Sequence, residues 1–541
     1  MKLKRSLALV LALLMVLPLA ACGKTTDDTD GTATTTGSAG TVTTTTVEPA
    51  ETDPTGEGET DVTAETDVSG NTVTTTVVAD VNGNTVTQAS NNGTTTSGKS
   101  TKKTKTTKPG STGNNTIGEA ITIKTGTTPV EKGLNFGGKT YRFAYYGGSW
   151  DSNHEKWHQD FQKLYNVKLD VKGVPTEEYV AGLSSALASG KPYDIVFFYS
   201  FDYPSQITAN VMQPLDDYIT TADLWNPKTS PTQGGFTKSL SQAMSLNGHI
   251  YCVAGNYLQS ATMIYYNKKE FAKAGYTGSK DPLAMYNAGK WSWQELYNML
   301  SAMQQTDKGI YGINAIAPYY SHQFINSFDT DFAKLKNGSL VENLSDTKLY
   351  NALEMLQKFC YGEHKVTNPK DDTSNGMDAF VNGTTLSCIA ATGGYWTLYK
   401  KIPSASAFDK KMSNLGMVPL PTNGKNGPNS IWDWMGYGAG AGASKEGVLC
   451  ALAFAKYDSI VNHNQAYHPQ MPADLKKLSC GILDADNLIG PLDGFKSSAG
   501  SMYSIGAKIT DAVATKGQSI SVVLKSYKKL TQTVINQALK G

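Results

Sequence analysis

The chain has 541 residues, 39% hydrophobic and 18% charged, with 48 Lys and Arg against 47 Asp and Glu and a formal net charge of +1. So balanced a composition carries no electrostatic footprint for nucleic acid. The six cysteines show no Cys-x-x-Cys spacing, which argues against a structural zinc site or a disulfide framework.

At the amino terminus Lys2, Lys4 and Arg5 form a positive region, and residues 7–17 an apolar run too short to span a bilayer. Residues 1–21 therefore read as an export leader. Leu19-Ala20-Ala21-Cys22 resembles a bacterial lipobox. The resemblance implies cleavage before Cys22, diacylglycerol on its sulfur and an acyl chain such as palmitate on the new amino terminus. Two lipid signals hold a protein stably at a membrane where one is marginal. The expected location is the outer face of the cell membrane; an ordinary secretory leader is the other reading, and export follows from both. With Cys22 set aside, Cys252, Cys360, Cys388, Cys450 and Cys480 allow at most two bridges.

Residues 22–116 are rich in Thr, Gly, Ser, Asn and Asp, with little large and apolar to bury, and are expected to be a disordered tether. The charge is blocked: residues 27–80 hold acids and no Lys or Arg, whereas Lys99, Lys102, Lys103, Lys105 and Lys108 cluster. Such a cluster suits either a solvated tether or contact with anionic wall polymer. Gly70-Asn71-Thr72-Val73-Thr74 recurs as Gly83-Asn84-Thr85-Val86-Thr87, which allows a marginal hairpin. A flexible segment of roughly 95 residues reaches about 50 to 60 Å, enough to hold a domain away from a membrane.

Two motif matches need weighing. Residues 93–100, Gly-Thr-Thr-Thr-Ser-Gly-Lys-Ser, fit the phosphate-loop pattern, but that chemistry needs a buried strand before the loop and a helix after it, and neither flank qualifies. His154-Glu155-Lys156-Trp157-His158 fits H-E-x-x-H, which on a helix sets two imidazoles one turn apart for zinc with Glu155 as general base. Glu177 or Glu178 would have to complete the ligands, yet residues 167–174 alternate like a strand between them. Trp157, Phe161 and Leu164 share a helical face suited to packing on a sheet. The packed helix is the preferred reading and the zinc peptidase the runner-up.

From about residue 117 onward the chain reads as a globular α/β region. Residues 141–146 suggest a strand, 152–165 a helix, 167–174 a second strand, 176–187 a helix and 193–199 a near-continuous apolar strand. Strands alternating with helices argue a mostly parallel sheet covered on both faces, with ligands at the carboxyl ends of its strands.

Several segments taken together resemble the extracellular solute-binding protein family 1, the receptors of carbohydrate importers of the ATP-binding-cassette type. Pro192-Tyr193-Asp194-Ile195-Val196-Phe197 resembles its third strand, Met212-Gln213-Pro214-Leu215-Asp216 the segment after the next helix, and residues 247–253 its central strand. Ile264-Tyr265-Tyr266-Asn267-Lys268 resembles its crossover strand, and Trp291-Ser292-Trp293-Gln294-Glu295-Leu296 a capped helix of the second lobe. Residues 379–383, Gly394-Tyr395-Trp396 and residues 415–421 follow in the family's order.

The resemblance implies two α/β lobes joined by hinge crossovers, a periplasmic-binding-protein-like fold. The first lobe is expected at about 135–260 plus 440–490, and the second at about 261–439 plus 491–541. Residues 436–442 hold four glycines in seven positions, which suits a returning crossover that absorbs backbone change. The implied activity is capture without chemistry: a sugar or oligosaccharide bridges the lobes, and the closed monomer is presented to a permease, with no cofactor and no metal. Sugars need flat aromatic platforms beside polar groups. The family's binding loops place Trp150, Asp151, Tyr199, Ser200, Asp202, Gln259, Ser260, Tyr319, Trp396, Trp432, Asp433, Trp434 and Tyr437 as candidate ligand contacts, with Trp396 and Trp432 foremost. A secreted glycosidase would want two carboxylates about 5 to 10 Å apart, a role open to Asp151, Asp202 and Asp433.

Overall fold

The computed structural model describes residues 62–66, 72–79, 85–90, 134–147, 152–220, 235–314, 316–317, 320–336, 339–368, 376–404, 408, 412–422, 427–465, 471–485 and 487–540. The leader, Cys22, the 93–100 match, Trp150, Asp151 and Tyr319 lie outside these residues. The chain divides into two compact units, residues 23–110 and the remainder.

In the first unit Val62–Thr66, Thr72–Ala79 and Thr85–Ser90 form an antiparallel sheet. The repeated Thr-Val-Thr opens its second and third strands, which pair with Val78 opposite Val86. The hairpin expected there is present, and a further strand is added to it.

In the second unit, five strands make the first-lobe sheet, in the order Lys168–Val174, Thr140–Tyr146, Ile195–Tyr199, Met435–Gly440 and Met212–Gln213. The first three run parallel, with Phe143 level with Val171 and Ile195. Met435–Gly440 returns antiparallel, with Tyr437 opposite Phe197. Ile195 to Phe198 are all buried, as a strand covered on both faces requires. Phe161 of the helix Ser152–Tyr165 and Phe143 of the sheet both meet Phe454 edge-on at 5.1 Å, so the helix Lys445–Gln465 packs on the same face. Removing such an aromatic from a core costs about 3 to 5 kcal/mol.

The second-lobe sheet has the order Leu415–Pro419, Thr262–Asn267, Thr385–Ala391, Tyr311–Ile313. Thr262–Asn267 is antiparallel to both neighbours. Ser292 caps the helix Trp293–Met303 by accepting from the Glu295 amide. The last helix, Ile520–Ala538, buries Val523, Leu524 and Val534 and packs on Thr347–Cys360 and Met502–Thr510.

Three expectations are corrected. Met435–Gly440 belongs to the first-lobe sheet, so the return crossing precedes residue 435 instead of following 439. Its glycines serve close packing: a Cβ on Gly438 would stand 2.3 Å from the Tyr251 carbonyl oxygen, and one on Gly440 2.1 Å from that of Tyr193. Residues 247–253 form no strand, touching the sheet through a single bridge, Val253 to Tyr437. Leu164 is 65% exposed, whereas Phe161 of the same stripe is buried as expected and His158, three residues before it, is buried with it. The helical period fits both faces, and the position of the sheet chooses between them.

Candidate functional site

Among the described residues three crossings join the lobes, and they pair with one another. Ala261 bridges Ile431 antiparallel, Asn429–Ser430 pairs parallel with Leu488–Ile489, and the Ile431 amide donates to the Ile489 carbonyl at 2.9 Å. Paired crossings of this kind are where a two-lobe fold hinges.

The carboxyl end of Ile195–Tyr199 lies against this ribbon. The Tyr199 hydroxyl donates to Asp433 Oδ2 at 2.6 Å, and the Ser200 hydroxyl donates to Asp433 Oδ1 at 3.3 Å. The Trp434 amide in turn donates to Ser200 Oγ at 3.2 Å. Burial and the neighbouring Asp433 hold the Tyr199 hydroxyl well above its ordinary range, so it stays protonated and donates. Burial, and next the carboxylate of Asp493, push Asp433 upward against the pull of those hydroxyls. Asp202, 7% exposed, pairs with Lys496 Nζ at 3.3 Å.

Ser260 holds the other side of the hinge. Its hydroxyl lies 3.0 Å from that of Thr392, its carbonyl accepts from the Trp432 amide at 2.8 Å, and the Thr392 amide donates to Ala261 at 2.8 Å. Trp396 sits one helical turn beyond Thr392, half-buried, with Lys400 Nζ 4.5 Å from its ring centre. Trp432 is also half-buried, with an edge-on contact to Tyr320 at 5.5 Å, and its carbonyl accepts from Gln323 Nε2 at 3.0 Å. Tyr199, Ser200, Asp433, Ser260 and Trp432 are thus gathered at one hinge.

Three expected contacts are placed elsewhere. Trp434 is 1% exposed, with Gly490 so close that a Cβ there would lie 2.6 Å from Nε1. Tyr437 packs in the first-lobe core among Phe143, Phe197 and Phe454. Gln259 spends its amide on the backbone of Met435, donating to its carbonyl at 2.6 Å and accepting from its N–H at 3.0 Å. Their chemistry suits a ligand, but the fold has already used it.

The site also contains residues that sequence reasoning missed. Tyr146 meets Tyr199 at 5.1 Å, Phe201 stacks on Tyr199 at 6.0 Å and 16°, Tyr503 approaches Phe201 at 5.5 Å, and His322 stacks on Tyr503 at 6.2 Å and 10°. This aromatic run passes from the first lobe to the second. Lys496 Nζ also lies 4.8 Å from the Phe201 ring centre. Phe201 stands between two polar residues and Tyr503 lies in an apolar helix pattern, so neither carries a usable local signal. Gly494 makes the approach possible: a Cβ there would fall 1.8 Å from the Ser200 carbonyl oxygen.

Metal chemistry finds no support in this region. Among the described residues no group of three or more His, Cys, Asp or Glu is placed to hold an ion. His158 faces the core, where burial pulls its imidazole down to about 4, while the side chains of His154 and Glu155 lie outside the described set. The five described cysteines form no disulfide, and burial pushes the Cys360 thiol up to about 12. No described helix is long and apolar enough to cross a membrane.

Crossed lobes with a site at the hinge define a two-lobe binding protein of the periplasmic type. The family model for bacterial extracellular solute-binding proteins matches residues 147–457, more than half of the chain, and the protein belongs to that family. The family places it outside the cytoplasm. No curated protein sequence matches the chain. Among solved structures it is similar to the sugar-binding protein MalE of Xanthomonas citri, at 15% identity over 73% of this chain and 97% of that one, with a TM-score of 0.56. It is similar to the galacto-N-biose and lacto-N-biose I-binding protein of the ABC transporter of Bifidobacterium longum, at 13% identity over 75% and 98%, TM-score 0.53. The GacH receptor of Streptomyces glaucescens matches at 16% identity over 73% and 98%, TM-score 0.50. At such identities the likeness establishes the fold.

Proposed function

We propose that the protein captures a neutral sugar or oligosaccharide between its lobes and delivers it, unchanged, to an importer of the ATP-binding-cassette type. The observation that carries this is the pairing of half-buried rings (Tyr146, Tyr199, Phe201, Tyr503, Trp432) with a hydroxyl and carboxylate network at the hinge. Rings match the C–H faces of a sugar and the network matches its rim. Two of the similar structures, a sugar-binding protein and a galacto-N-biose and lacto-N-biose I-binding protein of an ABC transporter, support the same class. Trp396 is a further platform at the edge of the second lobe, and Trp150, Asp151 and Tyr319 are proposed to complete the cleft.

Both oxygens of Asp433 already accept from hydroxyls, a poor arrangement for a group that must shuttle protons in glycoside hydrolysis. Non-enzymatic capture is therefore the favoured activity. The mature chain is proposed to work as a monomer, held to the outer face of the membrane by lipid on Cys22, with residues 23–116 as its tether. A glycan screen by thermal shift, followed by mass spectrometry of the best ligands, tests the reading. A raised melting midpoint with intact glycan is expected, and steady release of shorter products would overturn it.

A further inference from the structure

His322 takes no part in the proposed sugar contacts, yet it occupies a made-to-measure pocket. It is 3% exposed, its ring lies parallel to Tyr503 and edge-on to Phe332 at 5.2 Å, and Gly506 leaves space where a Cβ would fall 2.5 Å from Nε2. The groups facing it come from four elements. Asp331, on the loop after its own helix Ser321–Asn326, puts Oδ1 3.8 Å from Nδ1. Asp493 belongs to the third crossing and Asp433 to the second, and both act on the imidazole electrostatically. Tyr503, from the helix Met502–Thr510, covers one ring face. Lys496 acts on Asp493 but is bound to Asp202.

The balance of charge is the difficulty. Asp331, Asp433 and Asp493 are 6%, 4% and 4% exposed, and buried carboxylates cannot ionise together without a compensating charge. Burial and Asp493 push the Asp433 carboxyl upward, and the hydroxyls of Tyr199 and Ser200 and the imidazole of His322 pull the other way. Asp331 Oδ2 accepts from the Leu492 amide at 2.9 Å, tying the second lobe to the third crossing, and its Oδ1 accepts from the Phe332 amide at 2.6 Å. Asp493 Oδ1 is buried with no hydrogen-bond partner among the described residues. The imidazole is the group placed to answer all three.

We propose that His322 is a positioning residue that, when protonated, serves as the counter-charge to the buried carboxylates gathered at the hinge, so that one proton couples solute affinity to pH. Burial opposes that proton, but Asp331, Asp493 and Asp433 outweigh it and raise the folded-state value. The linkage then has a definite sign. A raised histidine contributes stability fully present below its unfolded value of about 6.5 and lost as pH rises through the folded value.

The test begins on the full protein without ligand. The melting midpoint of the wild type should fall by several degrees more than that of His322→Gln as pH is raised from about 6.5 to about 9. The His322 Cε1 proton resonance should titrate above the ordinary histidine range. In Asp493→Asn, which keeps the imidazole and removes one charge, that midpoint should move to lower pH. Identical pH profiles for wild type and His322→Gln, or an unmoved midpoint in Asp493→Asn, would overturn the proposal. The affinity arm rests on the carbohydrate reading: glycan binding should weaken about five- to ten-fold over the same window in the wild type and stay flat in His322→Gln. The ligand-free measurements decide the titration by themselves. A chain that binds no glycan sinks the carbohydrate reading alone, and a glycan-binding chain with pH-independent wild-type affinity sinks this one.

Discussion

Of the two crossings that return to the hinge, residues 431–437 pack aromatic and acidic groups densely, while residues 491–503 look unremarkable in sequence and yet contribute as much to the site. In the denser one, two neighbours diverge: Trp432 is half-buried at the site edge and Trp434 is 1% exposed in the interior. In the plainer one, Gly494 lets the backbone press on Ser200, Phe495 packs edge-on against Tyr203 at 5.6 Å, and Lys496 and Tyr503 are thereby delivered to Asp202 and Phe201. Composition marks where functional groups are plentiful. Close backbone approach marks where they are seated.

The largest expected effect separates the two tryptophans. Trp434→Ala should cost about 3 to 5 kcal/mol of stability, because it empties a filled interior position. Trp432→Ala should leave the denaturant midpoint nearly unchanged and weaken glycan binding about ten-fold. Urea melts with calorimetry on both variants check this, and equal destabilisation would erase the distinction within the crossing.

Gly494→Ala comes next. The added methyl has no space beside Ser200, so a loss of about 1 to 3 kcal/mol is expected, against almost none for alanine at Gly481, where a Cβ meets nothing. A comparable melting midpoint for both alanine variants would show that the plain crossing is not seated as described.

Tyr503→Ala and Trp396→Ala address affinity. Each should weaken glycan binding about ten-fold by titration calorimetry if each supplies a platform. If only Trp396 matters, the third crossing is a support for the site and not part of it.

The smallest effect is a pH dependence opposite in sign to that of His322. The His158 imidazole is held down to about 4 by burial, so the unfolded chain binds more protons between about 4 and 6.5. Its contribution is complete above about 6.5 and fades as pH falls. The wild-type melting midpoint should drop a few degrees more than that of His158→Gln on acidification to pH about 4.5, a difference that scanning calorimetry reads directly.

Much of the fold was legible because hydrophobic period and capping are local. The run Ile195-Val196-Phe197-Phe198 could hardly be other than a buried strand, and Ser292 three residues before Glu295 announced a helix. The site was legible only in part. Tyr199, Ser200, Ser260, Trp432 and Asp433 were chosen because they end strands or flank a crossing, and the fold gathers them at the hinge; Trp434, Tyr437 and Gln259 were chosen too, although the fold buries or commits them. Nothing local tells a tryptophan that fills an interior from one two residues away that edges a cleft.

By itself, the sequence determined that an α/β region follows a polar segment and which family the chain joins, because both are written in contiguous residues. Only the tertiary structure decided that Met435–Gly440 returns to the first-lobe sheet, that Phe201 and Tyr503 continue one aromatic run, and that His322 and Asp331 lie against the third crossing. These are properties of residues more than a hundred positions apart, brought together by the burial of two sheets and three crossings. Burial is a collective quantity that no single stretch of chain specifies.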